Sequence, residues 1–323
     1  MEIGRHGKSS QRAAAKQLAV TCSFSDGSAP IWASEIGAAL PEARVKVWQE
    51  GDPPSDYAVV WKPNQRFVDS QPALKAIFNA GAGVDALASL RMPQSVPLIR
   101  LEDAGMAEQM CEYVLHAVLH HYREFDVYEV QAGAGVWAPR PARRKAEYPV
   151  GILGYGVLGQ AVAKSLIAAG FEVVAWARSP RADAPIRLYA GEEARESFFR
   201  RVRILVCLLP LTASTRHILN AAAFASLQPG GYVINVARGR HLKLQALLAA
   251  LQDGHLAGAT LDVFEDEPIP ALHPIWRHPR VRVTPHISAA TLRPEAMGQI
   301  VAKLRSLERG EGVSGVVRAE LGY

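Results

Sequence analysis

The stretch Val150-Gly151-Ile152-Leu153-Gly154-Tyr155-Gly156-Val157-Leu158-Gly159 decides the reading of this chain. Its first four residues are a short apolar run, the pattern of a strand enclosed on both faces. The run breaks at Gly154, and good helix formers follow over residues 161–169. The three glycines have separate tasks. Gly154 permits a tight turn, Gly156 lets backbone approach a ligand, and Gly159 lets helix pack closely on strand. Val157 and Leu158 lie where that helix begins, with its unpaired amides and positive dipole end. Such a start is a cradle for a pyrophosphate. A second run at 172–176 completes strand, turn, helix and strand, the order that a dinucleotide-binding unit needs.

Toward the carboxyl end, strands are expected at 204–208, 232–236, 259–263 and 281–284, with helical segments between most of them. An amphipathic helix over about 294–309 closes the chain. Toward the amino end, strands are expected at 18–24, 43–48, 57–61, 75–78 and 97–101, with helices at 31–40 and 106–122. Alternation of this kind implies parallel α/β sheets, and 323 residues suit two such domains. Residues 126–147 carry Gly133, Gly135, Pro139, Pro141 and a basic cluster of Arg140, Arg143, Arg144 and Lys145. They read as an extended, solvated connection.

The net charge of +5 is concentrated at the start, where Arg5, Lys8, Arg12 and Lys16 face only Glu2. Residues 1–17 therefore read as a disordered basic extension. The remainder of the chain is close to neutral and has no basic face for nucleic acid. The opening segment has no apolar stretch of the secretory kind, and no apolar run is long enough to span a bilayer. Cys22, Cys111 and Cys207 are scattered without metal-ligand spacing. Reduced thiols, a cytoplasmic location, no membrane and no metal are the expectations.

Ligands of an open parallel sheet bind beyond the carboxyl ends of its strands. Three polar residues fall there: Arg238 after the strand at 232–236, Glu267 after 259–263, and His286 after 281–284. Together they suit reduction of a carbonyl beside a carboxylate. An arginine holds the carboxylate and polarises the carbonyl. A histidine supplies the proton, and an acidic neighbour orients its ring and favours the protonated form. Taken singly, each has a plainer reading: a solvated loop arginine, surface charge in Glu265-Asp266-Glu267, and one of ten histidines.

Several motifs in order add a resemblance. Asn235-Val236-Ala237-Arg238-Gly239, the segment 261–268 and Thr284-Pro285-His286-Ile287 resemble signatures of the D-isomer-specific 2-hydroxyacid dehydrogenases. Trp61-Lys62-Pro63, Gly81-Ala82-Gly83-Val84-Asp85 and the segment 100–110 are similar to the glyoxylate/hydroxypyruvate reductase A branch of that family. The resemblance implies two doubly wound parallel-sheet domains. A flavodoxin-like substrate domain, 18–115 and 291–323, would flank an inserted Rossmann cofactor domain, 116–290. It implies reduction of small 2-oxo acids by hydride transfer, with Arg238, Glu267 and His286 catalytic. Trp61, Ala82, Gly83 and Val84 would join Arg238 and His286 at the substrate. Leu209, Pro210 and Thr215 would lie on the cofactor-side loop after the third strand, with Val236 and Ala237 after the fourth. Asp262 would hold the nicotinamide carboxamide. One departure is His241-Leu242-Lys243, where the family usually has acidic residues.

An NAD-specific fold places an acid at the end of its second strand, but here that position falls at Ala177. Arg178, Ser179 and Arg181 follow, so NADPH is expected in preference to NADH. The family also implies that the connection at 126–147 embraces a second subunit; Trp137, a large apolar group in a polar stretch, is expected to approach the neighbour's site in a homodimer. The alternatives are a phosphoglycerate or D-lactate dehydrogenase, and a dinucleotide-sensing corepressor on the same fold. Formate dehydrogenases match less well, because their histidine is partnered by glutamine.

Overall fold

The computed structural model describes residues 17–318 apart from Ala88 and Gln94. Residues 1–16 of the basic extension lie outside the described residues. Contacts divide the chain into two compact units. One runs to Asn79 and takes in Leu90–Leu98; the other holds Ala80–Ser89 and everything from Ile99.

The smaller unit is built on β1 (Leu18–Phe24), α1 (Ala29–Ala39), β2 (Ala43–Val47), β3 (Tyr57–Trp61), α2 (Gln65–Asp69) and β4 (Ala76–Asn79), with the first residue of β5 (Leu98–Ile99). Its sheet has the order β2-β1-β3-β4-β5. This is the flavodoxin-like order expected from the resemblance. β1 pairs in parallel with β2 and β3, and β3 with β4. Tyr57 to Val60 are all buried, which is why the central strand reads as an unbroken apolar run.

The larger unit begins with α3 (Met106–Tyr122) and α4 (Phe125–Gly133). Next come β6 (Val150–Leu153), α5 (Val157–Ala168), β7 (Val173–Ala177), β8 (Arg187–Ala190), α6 (Arg195–Arg201) and β9 (Ile204–Cys207). The unit ends with α7 (Ala221–Ser226), β10 (Gly231–Asn235), α8 (Leu244–Gln252), β11 (Leu256–Leu261), β12 (Val281–Val283) and α9 (Arg293–Glu308). Its sheet runs β12-β11-β10-β9-β6-β7-β8 and is parallel at every pairing. Counted from β6, this is the 3-2-1-4-5-6 Rossmann order with one further strand. Strand order reverses between β6 and β9, so a crevice opens at their carboxyl ends.

Both faces of this sheet are covered. Ile152, Val206 and Ile234 pack in a cluster with Val114 and Val118 of α3 and Val162 and Leu166 of α5. Leu153, Leu205 and Val233 pack with Phe198 of α6, Phe224 of α7 and Leu247 of α8. Burial on two sides explains the continuous apolar strands. Among the described residues no helix is long and apolar enough to cross a membrane.

The connection at 126–147 is not extended throughout. Its first part is α4, none of whose residues is buried, so it carries no apolar stripe to announce a helix. Polar contacts hold it instead: Glu129 pairs with His120 at 3.1 Å and, across 153 residues, with Arg282 at 3.3 Å. The basic cluster is also less solvated than composition implied. Arg140 and Arg143 both bind the buried Glu124 carboxylate, at 2.9 and 2.7 Å.

Candidate active site

The glycine turn stands at the strand-order reversal. Gly154 has φ +102°, and a Cβ there would sit 2.8 Å from the Leu208 carbonyl oxygen. A Cβ on Gly159 would lie 2.0 Å from the Gly154 carbonyl oxygen. Neither position admits a side chain, because α5 and the β9 loop close on the turn. Gly156 differs: nothing lies within 4 Å of where its Cβ would be. It is the N-cap of the twelve-residue α5 in extended backbone, so open space meets the helix start. An anion fits there. β7 ends at Ala177 with no acidic side chain, and Arg178, Ser179 and Arg181 follow exposed. Arg181 donates to the Tyr155 carbonyl at 3.3 Å, so its guanidinium leans back over the glycine turn.

After β9, Leu209 is buried and Thr215 fixes the loop, its hydroxyl donating to the Pro210 carbonyl at 2.7 Å. After β10, Val236 and Ala237 are buried and Arg238 emerges. Its Nη1 donates to the Ala237 carbonyl at 2.7 Å and its Nε to Asp85 Oδ1 at 3.0 Å. Gly83 lies against the same guanidinium. A Cβ on it would stand 1.8 Å from Arg238 Nη2. The structure thus brings Ala82-Gly83-Val84 to the arginine, with Val84 buried beneath. Trp61 ends β3 in the smaller unit, partly exposed, with Lys62 Nζ 5.6 Å from its ring centroid.

Glu267 and His286 meet. Glu267 Oε2 lies 2.7 Å from His286 Nδ1, and Oε1 accepts from the Phe264 amide at 2.9 Å. The carboxylate is therefore held at both oxygens, and it fixes the ring with Nδ1 inward. Both side chains are about two-fifths exposed, at 44% and 37%. Beside them an apolar cavity of ≈ 290 Å³ is lined by Phe264, Ile269, Trp276 and Val283 among others.

Asp262 joins these segments. It is buried, its amide donates to the Asn235 carbonyl at 3.1 Å, and its carbonyl accepts from the His286 amide at 2.9 Å. Its carboxylate accepts from the amides of Ile287 and Ser288, both at 2.8 Å, and from the Thr284 hydroxyl at 2.6 Å. So Asp262 holds the His286 loop in place, a task the motif comparison did not assign it. Behind it, the Tyr113 hydroxyl bonds Thr284 Oγ1. Thr284 has given its one proton to Asp262, so Tyr113 is the donor. Burial pushes the Tyr113 hydroxyl up to about 12, which keeps that proton in place. Tyr113, Asp85 and His241 were not among the expected site residues. The partners of Tyr113 and Asp85 are far away in sequence, and His241 bonds both the nearby Arg238 amide and the more distant Pro210 carbonyl.

Known proteins resemble this chain. The profile of the D-isomer specific 2-hydroxyacid dehydrogenase NAD-binding domain matches residues 115–288. Glyoxylate/hydroxypyruvate reductase A of Serratia proteamaculans (strain 568) is 47% identical over 90% of this chain and 96% of its own.

The chain belongs to the D-isomer specific 2-hydroxyacid dehydrogenase family.

Solved structures agree with that membership. A D-isomer specific 2-hydroxyacid dehydrogenase from Xanthobacter autotrophicus Py2, in complex with NADPH and MES, superposes with a TM-score of 0.89. It is 40% identical and covers 95% of this chain and 100% of its own. An NADPH-dependent glyoxylate/hydroxypyruvate reductase from Sinorhizobium meliloti, in complex with NADP and sulfate, gives 0.87 at 35% identity, with coverage of 95% and 100%.

Proposed function

We propose that this dehydrogenase is an NADPH-dependent reductase of small 2-oxo acids, turning glyoxylate into glycolate and hydroxypyruvate into D-glycerate. The observation that carries the reading is the 2.7 Å Glu267–His286 pair. It lies in the same unit, at the same end of the sheet, as Arg238 and its Gly83 cradle. The relatives named for these substrates, and the NADPH and NADP in the solved neighbours, support it.

Arg238 receives the substrate carboxylate and, through the same fork, polarises the adjacent carbonyl. The backbone of Ala82, Gly83 and Val84 lines the carboxylate's other side. Glu267 accepts the Nδ1 proton of His286, which leaves Nε2 as the atom that gives its proton to the carbonyl oxygen. NADPH, when bound, supplies the two electrons and the hydrogen that arrive at the carbonyl carbon. Gly154, Gly156, Val157, Leu158 and Gly159 would hold its pyrophosphate. Leu209, Pro210, Thr215, Val236 and Ala237 would line its path, and Asp262 has one acceptor position left for its carboxamide. Arg178, with Ser179 and Arg181, would pair with the 2′-phosphate.

The same reading places a substrate domain at 18–115 and 291–323 around a cofactor domain at 116–290. The family match at 115–288 supports the inserted segment. The protein would act in the cytoplasm as a homodimer. Trp137 is 98% exposed on an arm fixed by the Glu124–Arg140 and Glu124–Arg143 pairs, which suits an anchor for a second copy. Light scattering at micromolar concentration should give a dimer mass; a monomer would refute that assembly.

The test of the activity is absorbance at 340 nm with NADPH and, in turn, glyoxylate, hydroxypyruvate, pyruvate and phenylpyruvate. Fast oxidation of NADPH with the first two is expected. Absence of turnover with all four would overturn the reading.

A further inference from the structure

We propose that Asp85 and His241 are positioning residues that fix the fork of Arg238 for the carboxylate of a 2-oxo acid. The inference rests on the reading above, in which Arg238 binds that carboxylate.

Asp85 acts on the side chain. Arg238 has five N–H donors in one plane. Asp85 Oδ1 takes Nε at 3.0 Å and the Ala237 carbonyl takes Nη1 at 2.7 Å. Two bonds on different nitrogens fix the plane of the guanidinium and turn Nη2 toward Gly83. The pair is about a third exposed on each side, at 32% and 36%. An ion pair so open to water adds little to folding. Its effect is to select one rotamer of a flexible side chain.

His241 acts on the backbone. It is fully buried, with Nδ1 3.2 Å from the Arg238 amide and Nε2 3.3 Å from the Pro210 carbonyl oxygen. One neutral tautomer satisfies both. Nε2–H donates to Pro210, and Nδ1 accepts from Arg238. Burial lowers the pKa of this ring and so keeps it in the neutral form that the arrangement needs. His241 therefore ties the turn that presents Arg238 to the loop that begins after β9. A residue with an acidic side chain in its place would lack the Nε2 donor.

Wild-type turnover is measured first, because its absence removes the reading of the site and not this proposal alone. Asp85→Ala should then raise the 2-oxo acid KM and lower kcat, so that kcat/KM falls by about 10–100-fold, while the NADPH KM stays put. Asp85→Asn keeps the acceptor and should remain within about threefold of wild type. Titration calorimetry of the NADP-loaded protein with oxalate should show the same loss of affinity in Asp85→Ala. Arg238→Lys has no fork to orient, so Asp85→Ala should add less than about twofold in that background. His241→Leu should raise the KM for both 2-oxo acid and NADPH. His241→Asn retains an acceptor for the Arg238 amide and should restore the 2-oxo acid KM. An undiminished Asp85→Ala effect in the Arg238→Lys background would overturn the proposal for Asp85. A 2-oxo acid KM as high in folded His241→Asn as with loss of Arg238 itself would overturn it for His241.

Discussion

His286 and His121 occupy opposite ends of one sheet, and their surroundings make them different chemical groups. His286 follows β12 at the carboxyl end, part exposed, with a carboxylate at 2.7 Å. His121 ends α3 near the amino ends of β6 and β10, stacked on Tyr232 with ring centroids 4.2 Å apart. It is buried, and its Nε2 has no hydrogen-bond partner among the described residues. Burial, together with the charges of Arg143 and Arg203, depresses its pKa to about 3. The first ring can carry a proton to a substrate; the second stays neutral and packs like an aromatic. A histidine becomes reactive through its partner and its access to water.

The carboxyl-end group can be broken hardest at Arg238. If Arg238 holds the substrate carboxylate as proposed, Arg238→Ala removes those charge-assisted bonds, so kcat/KM should fall by about 10²–10⁴-fold. Steady-state kinetics should show both a raised KM and a lowered kcat, because the fork serves binding and carbonyl polarisation together. A KM change alone would confine the arginine to binding.

Cofactor choice tests the same end of the sheet from its other side. One good pair between Arg178 and a 2′-phosphate predicts a preference for NADPH over NADH of about 10–150-fold in kcat/KM. Arg178→Ala should reduce that ratio. Equal efficiency with both cofactors in wild type would contradict the reading of β7, and an unchanged ratio in the variant would remove Arg178 from it.

The remaining prediction belongs to the amino end and concerns stability instead of turnover. The folded pKa of His121 lies below that of the unfolded chain, so the neutral ring stabilises fully above about pH 6.5. That contribution is lost as pH falls from there toward the folded value of about 3. Denaturant unfolding at several pH values should show it as a slope of about 1.4 kcal/mol per pH unit. His121→Phe keeps the stack on Tyr232 and should flatten the slope while leaving turnover at neutral pH intact. An unaltered slope would mean that other groups govern the acid limb.

Legibility followed the range of the forces involved. Strands such as 18–24, 57–61 and 150–153 fell where the apolar runs placed them, because burial on both faces writes itself into consecutive residues. The edge strand β8 did not show. It pairs with β7 alone, and only Tyr189 in it is buried. α4 escaped for the same reason, being held by Glu129 and not by an apolar stripe. In the candidate site, Arg238, Glu267 and His286 were legible because they follow the ends of strands and sit in motifs. Asp85 and Tyr113 were not. Asp85 meets Arg238 across 153 residues, and Tyr113 meets Thr284 across 171. No pattern in one sequence encodes such pairings.

The most direct test of the account is His286→Ala, assayed for reduction at 340 nm and for NADPH affinity by fluorescence titration on the same protein. The proton donor assignment predicts a loss of about 10²–10⁴-fold in the reduction rate, with NADPH affinity nearly unchanged. Turnover close to wild type in that variant would contradict it.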